Sequence, residues 1–543
     1  MRRPKVKNLE GSKAGRSCAL FAATTSLLVL AGGCNLGQWV HNGFKVGPNY
    51  FGPPPAAVAD DWLDSNDPQV STRPPEYPDW WTALDDPTLN HLIETAYQQN
   101  LSLREAGLRV LQARAQRAIV AGNLFPQTQQ ASGSFSREQI SLVAQPFLAP
   151  LPNFRRSFDA WSLGSNLSWE LDIWGRFRRA VDASDASLDA SVASYDGVLI
   201  CLIAEVATAY TEIRTFQQRL EYARRNVEIQ EASFELAKIR TDEGKTDKVS
   251  TNLAESNSEE TRRTIQPLEI GLRQANNRLC TLLGIPPEDL VQQLGDDQSI
   301  PTAPSEVALG IPADLLRRRP DVRAAEARVA VQSEQIGIAV ADFFPQISIA
   351  GEIAVEAELF SDLFSGGSLA GIVGPSFGWK ILNYGRIVNN VRLQDERLGE
   401  LVTTYQNTVL TANQEVEDAL VAFLRTQQEA RSAAASAAAT QRALELETIR
   451  FKEGKTDFTG VFVLQGDLTS KQDELAATRG DIITSLIGVY KALGGGWEIR
   501  CGEPASHLPP GDFPTAASPW EEIPTPRGST EEALPELMTD ESD

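Results

Sequence analysis

Apolar positions along this chain keep two different periods, and the switch between them happens twice. From about Pro87 to Gly122, the residues Leu89, Leu92, Ala96, Leu103, Ala106, Val110, Ala113 and Ile119 recur on or near one stripe, and the stretch closes at Phe125-Pro126-Gln127. That spacing predicts an amphipathic helix. A period of two follows. Trp161, Leu163, Ser165, Leu167, Trp169, Leu171 and Ile173 alternate with Ser162, Gly164, Asn166, Ser168, Glu170 and Asp172, which predicts a strand with one apolar and one polar face. Its partner is expected near Gln129 to Val143. The helical period then returns: Leu199, Leu202, Val206, Ala209, Ile213, Phe216, Leu220, Ala223 and Val227 step by alternating three and four residues. Such a seam is that of a coiled coil.

The second half repeats this order. A helix is predicted from Pro320 through Val322, Ala325, Val329, Ile336 and Val340 to Phe344-Pro345-Gln346. Ile347, Ile349, Ile353 and Val355 then mark a strand, and Val373, Phe377, Trp379 and Ile381 a later one, weakened as a central strand by Pro375. A seam of smaller residues comes next: Val409, Ala412, Val416, Ala419, Phe423, Ala430, Ala433 and Ala437. Small seam residues let helix axes approach closely. The segment from Trp169 to Gly175-Arg176 matches Trp379 to Gly385-Arg386, 210 residues on.

The sharpest mark of duplication is Arg-x-x-Glu-Gly-Lys-Thr-Asp. It runs from Arg240 through Glu243, Gly244, Lys245 and Thr246 to Asp247, and again from Arg450 through Glu453, Gly454, Lys455 and Thr456 to Asp457. Each copy ends a long proline-free run and precedes another amphipathic one, the layout of a helix, a tight tip and a returning helix. Glycine suits the position past a helix C-terminus, and Lys-Thr-Asp supplies turn and N-cap chemistry. A phosphate-binding loop would need a glycine five positions earlier, where Ile239 and Ile449 stand.

Length follows from these boundaries. A helix over 177–241 spans ~98 Å and one over 250–283 spans ~50 Å, so two short helices stacked end to end match one long one. The organisation is then a signal segment at 1–33, an extended proline- and aromatic-rich segment at 34–86, a first repeat at 87–284, a linker at 285–312, a second repeat at 313–497, and an acidic tail at 498–543 expected to be disordered.

Charge and chemistry narrow the class. Formal net charge is −22, which argues against nucleic acid, since phosphate binding wants a basic stripe. Cys201 and Cys280 sit on apolar helix faces and are expected to be buried, and His41, His91 and His507 have no ligand spacing. Neither a metal site nor a cofactor fingerprint is read, and no nucleophile–base signature points to an enzyme. At the N-terminus, basic residues precede an apolar stretch from Cys18 to Leu30, too short to span a bilayer. Leu30-Ala31-Gly32-Gly33-Cys34 resembles a lipoprotein signal, which makes Cys34 the expected lipidation site. The alternative is a plain signal peptide with an incidental cysteine.

Four strands with one apolar face cannot span a membrane with open edges; spanning strands must close into a barrel. One chain is too small, so identical chains must share it by cyclic symmetry, with the helices forming a second tube. The alternatives are a soluble hairpin packed on helices and a coiled-coil spacer without a bore.

The order of elements resembles the TolC-like outer-membrane efflux channels, in the lipoprotein branch of NodT/OprM type that serves resistance–nodulation–division pumps. The likeness is carried by Val46-Gly47-Pro48-Asn49-Tyr50, Trp80-Trp81, Asp86-Pro87, Ser168-Trp169-Glu170-Leu171-Asp172-Ile173-Trp174-Gly175-Arg176 and the run from Gly310 to Asp321. The resemblance implies a mainly α fold with β: long helical hairpins forming an α-barrel continuous with a trimeric twelve-stranded transmembrane β-barrel. It implies a passive conduit in the outer membrane of a Gram-negative-type bacterium, extending into the periplasm, with a periplasmic adaptor and an inner-membrane pump as partners. The tips Gly244–Asp247 and Gly454–Asp457 would then contact the adaptor. The family's pore-narrowing acidic position corresponds to Val463, with Gly460 one turn earlier and Asp457 and Asp467 as nearby acidic candidates. Other outlets of the same class, for type I protein secretion or metal-ion export, and a lipid-anchored periplasmic coiled-coil scaffold remain open at this point.

Overall fold

Two glycines start the longest elements of the fold. Gly175 and Gly385 both have φ of 80°, a left-handed conformation that frees the chain to turn into the helix a few residues after each strand ends. In the computed structural model, which describes residues 36–501 apart from positions 72, 74–77, 145–146, 148–151, 153, 291–293, 296–298, 305 and 315–317, these helices are equal in length. The signal segment 1–33, Cys34, residues 315–317 and the tail beyond Cys501 lie outside the described residues.

In chain order the elements are α1 (Leu36–His41), β1 (Val70–Ser71), a 3-10 turn at Trp80–Leu84, α2 (Pro87–Gln99), α3 (Leu101–Gly122), β2 (Thr128–Gln139), β3 (Ser157–Leu171), α4 (Arg176–Asp242) and α5 (Lys248–Leu282). The second half brings β4 (Val307–Ala308), α6 (Pro320–Ala341), β5 (Gln346–Ala357), β6 (Leu369–Gly378), α7 (Arg386–Lys452) and α8 (Phe458–Ala492). Helices α4 and α7 have 67 residues each and α5 and α8 have 35 each, so the repeat is kept residue for residue over both hairpins. Residues up to Trp497 form one unit, and those from Glu498 a second.

Helix α4 is the hub. It packs against α3 and α6 along its first half, α2 near its middle and α5 and α8 along its second, whereas among the described helices α7 packs mainly on α6 and α8, with the N-terminal strap lying along it at Tyr405 and Gln406. The predicted seam from Leu199 to Val227 is accordingly buried throughout, apart from a half-buried Phe216. This also explains why α4 is apolar enough over one stretch to cross a membrane: that stretch is core between helices. Close approach is enforced at Gly271 and Gly480, where a Cβ would stand 2.5 Å from the Phe216 ring and 2.2 Å from Thr215 Oγ1.

Five sequence expectations need correction. The helix predicted over 87–122 is two helices, broken at Asn100, whose ψ of 126° is extended and whose side chain caps α3 by accepting from Leu103 N. Ile119 is 65% exposed instead of on a buried stripe. Cys280 is buried but Cys201 is exposed, because it falls between the buried ridges that Ile200 and Leu202 supply. Trp379 and Ile381 lie beyond the end of β6 at Gly378; Trp379 instead donates from Nε1 to Phe343 O at 2.9 Å. The N-terminal segment is not wholly extended, since α1 and the 3-10 turn at Trp80–Leu84 interrupt it.

That segment works as a strap. Lys45 pairs with Asp182 at 2.7 Å, Val46 N bonds Trp174 O, and Trp62 Nε1 donates to Gly310 O. Arg179, fully buried, locks it: Nε donates to Val46 O at 2.5 Å, Nη2 to Gly47 O and Asn49 Oδ1, and Nη1 to Glu334 at 2.6 Å. Gly337 leaves room for the guanidinium, since a Cβ there would lie 2.2 Å from Arg179 Cδ. The strap thereby ties the first repeat to α6 of the second.

On the flank of α8, Arg219 forms a two-pronged bond with Asp473 at 2.7 and 2.8 Å, while desolvation raises the pKa of Asp481 despite the opposing pull of Arg219. A raised carboxylate pKa means that ionisation costs the folded state, a penalty present at neutral pH and absent below the unfolded aspartate value of about 3.9. Asp481→Asn is therefore expected to raise the melting temperature at pH 7, with the gain vanishing near pH 3. An equal effect at both pH values would remove the ionisation argument.

Candidate channel wall and helix tips

The strands form one antiparallel sheet in the order β2-β3-β5-β6. Its register decides which residues share a face. Phe135 faces Trp161, Gly133 faces Leu163, Leu163 faces Val355, Trp169 faces Ile349, and Ile347 faces Phe377. Because neighbours in register share a face, this side of the sheet is mainly apolar across the four strands, with Gln129 and Ser165 as polar positions within it. It is also uncovered: Leu369, Val373 and Phe377 are 67%, 78% and 76% exposed. The other side carries Gln130, Ser132, Ser134, Asn166, Ser168, Glu170, Glu352 and Glu356, with Ile372 as its exposed apolar exception. Apolar outside and polar inside is the pattern of a strand wall between lipid and an aqueous bore.

Aromatic rings bound the apolar band. At the end distal to the long helices, Phe135 and Trp161 have centroids 4.4 Å apart, and Phe360 sits against Trp161 at 5.0 Å. At the helix end, Trp169 and Trp379 donate from Nε1 to Leu124 O and Phe343 O, equivalent sites in the two repeats. The eight steps from Trp161 to Trp169 span ~27 Å along the strand, which at the ~40° tilt of barrel strands covers most of the height of an outer-membrane apolar band.

At the far end of α4 and α7 stand the two tips. Gly244 has φ 66° and Gly454 φ 71°. Lys245 N donates to Arg240 O at 2.8 Å and Gly244 N to Thr241 O at 3.0 Å; Lys455 and Gly454 repeat this with Arg450 and Phe451. These are paired Schellman motifs. Asp247 caps α5 by accepting from Ser250 N, and Asp457 caps α8 by accepting from Thr459 N. The Ser250 bond holds the Asp247 carboxyl below its ordinary pKa, and the Lys245 bond at 2.7 Å does the same for Glu243. Lys455 and Glu453 pair likewise at 2.6 Å. Each tip thus presents a stiff turn with a local Lys–Glu pair and a capping aspartate.

The tips are joined by a residue that sequence reasoning missed as a contact. Arg240 Nη1 donates to Phe451 O, and its guanidinium lies 4.7 Å from the Phe451 ring. Phe451 meets Phe458 edge to face at 5.5 Å, over a cluster including Ala237, Ala254, Leu444 and Val461. Only the arginine at a fixed place in the repeat signalled this. Its counterpart Arg450 turns instead to Glu447 at 3.1 Å.

The narrowing candidates separate. At Gly460 a Cβ would stand 2.7 Å from Glu447 Oε1, so this glycine gives clearance between α7 and α8. Val463 is 57% exposed on the same helix, and Asp467, also exposed, accepts from Thr440 Oγ1 at 3.3 Å and faces Lys471 at 3.7 Å. Among the described residues no three metal-ligating side chains cluster.

Comparisons with known proteins agree with this geometry. The family model for outer membrane efflux protein matches residues 92–285 and 311–495. Outer membrane protein OprJ of Pseudomonas aeruginosa is 30% identical over 462 residues, covering 82% of this chain and 91% of OprJ. Nodulation protein T of Rhizobium leguminosarum bv. viciae is 29% identical over 419 residues, covering 77% and 84%. Among solved structures, the outer-membrane channel OprN superposes with a TM-score of 0.76 at 31% identity, covering 83% of this chain and 99% of OprN. The open state of the Neisseria gonorrhoeae MtrE channel gives 0.72 at 26%, covering 83% and 98%. With an apolar-out strand wall at one end and paired capped tips at the other, the chain belongs to the outer membrane efflux protein family and serves as the outer-membrane exit duct of a tripartite efflux system.

Proposed function

We propose that three copies close head to tail into one tube, and the open edges of the chain carry this reading. Among the described residues strands β2 and β6 have no outer partner, and they run in opposite directions in the sheet, so β6 of one copy and β2 of the next continue the antiparallel order. Helix α7 lacks the second flank that α4 has, and it exposes Leu393, Leu410 and Val421. The helices that would meet it expose Leu108 and Ile119 on α3 and Ile270 on α5. Contacts of this kind are heterologous and close only as a ring. Two copies would supply eight strands, whose interior side chains fill; three supply twelve and leave a bore.

Conduction through this tube is passive, without covalent chemistry, driven by an inner-membrane pump of the resistance–nodulation–division class through a periplasmic adaptor. The tips Gly244–Asp247 and Gly454–Asp457 are the adaptor contact. Val463 and Asp467 line the narrow end, and Gly460 lets α7 and α8 approach there. Residues 1–33 direct export, Cys34 carries the lipid anchor, and the segment boundaries at 34–86, 87–284, 285–312, 313–497 and 498–543 are those of the anchor segment, repeats, linker and tail. Small molecules are the cargo, in keeping with relatives named for toluene efflux and for pyoverdine export in Pseudomonas putida.

Electron microscopy of the purified full chain should show a threefold tube, and planar bilayers should show single-channel conductance. Twofold coiled-coil particles with no conductance would overturn the reading.

A further inference from the structure

Away from the sheet and the tips, the extended linker 299–304 roofs a cavity of about 710 Å³ between α4, α7 and α8. That volume is in the range that holds a drug-sized ligand. Its floor is apolar, formed by Ala434 of α7 and by Leu475, Ile482 and Ile483 of α8. Its polar lining is one-sided. Among the described residues, Arg431 and Arg479 both face it and no carboxylate does, although the chain carries a net charge of −22. Both arginines are exposed, and neither makes an ion pair or hydrogen bond among the described residues. A third donor also lacks an acceptor. Gln427 accepts from Gln69 Nε2 at 2.5 Å through Oε1, and its own Nε2 is buried without a partner. A buried donor left unpaired bears its full desolvation cost, so such a group implies an acceptor that completes it.

We propose that this groove binds an amphiphilic anion, with an apolar body on the Leu475–Ile483 floor and a carboxylate, sulfate or phosphate head held by Arg431, Arg479 and Gln427. Guanidinium groups suit such oxygens through paired, charge-assisted bonds. A ligand there touches α4 through Gln218 and both helices of the second hairpin, and binding only the folded form would stabilise their junction.

The probe is 11-(dansylamino)undecanoic acid, titrated by fluorescence onto the full-length protein in neutral-lipid nanodiscs, with empty discs as background. Saturable binding is expected, about tenfold weaker in the Arg431→Gln/Arg479→Gln double variant. It should be retained within about threefold in the Arg431→Lys/Arg479→Lys double variant, which keeps both charges. An uncharged dansyl-amide analogue of the same chain length should bind poorly. Unchanged affinity in the double glutamine variant, equal affinity for the uncharged analogue, or no saturable binding above empty discs would each overturn the proposal. If the glutamine variant fails to fold by circular dichroism, the lysine variant and the uncharged analogue decide it.

Discussion

Replacing Arg179 with alanine is expected to destabilise the folded chain by about 3–5 kcal/mol, the range for breaking a buried pair by removing one partner. The guanidinium is fully buried and reaches four acceptors: Val46 O, Gly47 O, Asn49 Oδ1 and Glu334 Oε2. Its removal leaves the Glu334 carboxylate without its cation and two strap carbonyls without donors. The void cannot be refilled locally, because Gly337 on the facing helix has no side chain to offer. Thermal unfolding in detergent should fall sharply, and limited proteolysis should release the strap. Arg179→Met/Glu334→Met should recover only part of the loss, since it removes the lone charge but not the need of the Val46 and Gly47 carbonyls for a donor. A melting temperature like that of the unmodified protein in Arg179→Ala would show that the strap is held by its other contacts.

Proline at either tip should abolish efflux while leaving the channel in the outer membrane. Proline fixes φ near −65°, and the tips require +66° at Gly244 and +71° at Gly454. The substitution also removes the N–H that bonds Thr241 O or Phe451 O. Both losses fall within the turn, about 100 Å along α4 or α7 from the strands, so the sheet should be unaffected. Alanine is the control, since it enters the left-handed region at about 1–2 kcal/mol and keeps the N–H. In a strain lacking its own channel, Gly244→Pro and Gly454→Pro should give susceptibility like that of the empty vector, and the alanine variants should restore resistance. Full resistance from both proline variants would sink the assignment of the tips as a docking surface.

These two cases divide differently between sequence and structure. The tips were readable because their physics is local. A glycine, a turn and a capping aspartate recur in the same order, and each acts on groups a few residues away. Arg179 was not readable. Its acceptors lie 130 or more residues off, in both directions, at Val46, Gly47, Asn49 and Glu334. The break at Asn100 was missed for a related reason: the apolar stripe runs through it, and only the extended ψ separates the two helices.

By itself, then, the sequence determined the duplicated hairpins, the strands with their apolar face, and the conformation of the two tips. Periodicity and turn chemistry are short-range properties, carried by residues within a turn or two of one another. What only the tertiary structure decided was which faces find partners. It made α4 a hub with five helical neighbours and left α7 with two. It turned Cys201 outward and Cys280 inward. It also set Arg240 of one tip against Phe451 of the other and gathered Gln427, Arg431 and Arg479 around one groove. Such contacts join residues far apart in the chain, and no period in the sequence records them.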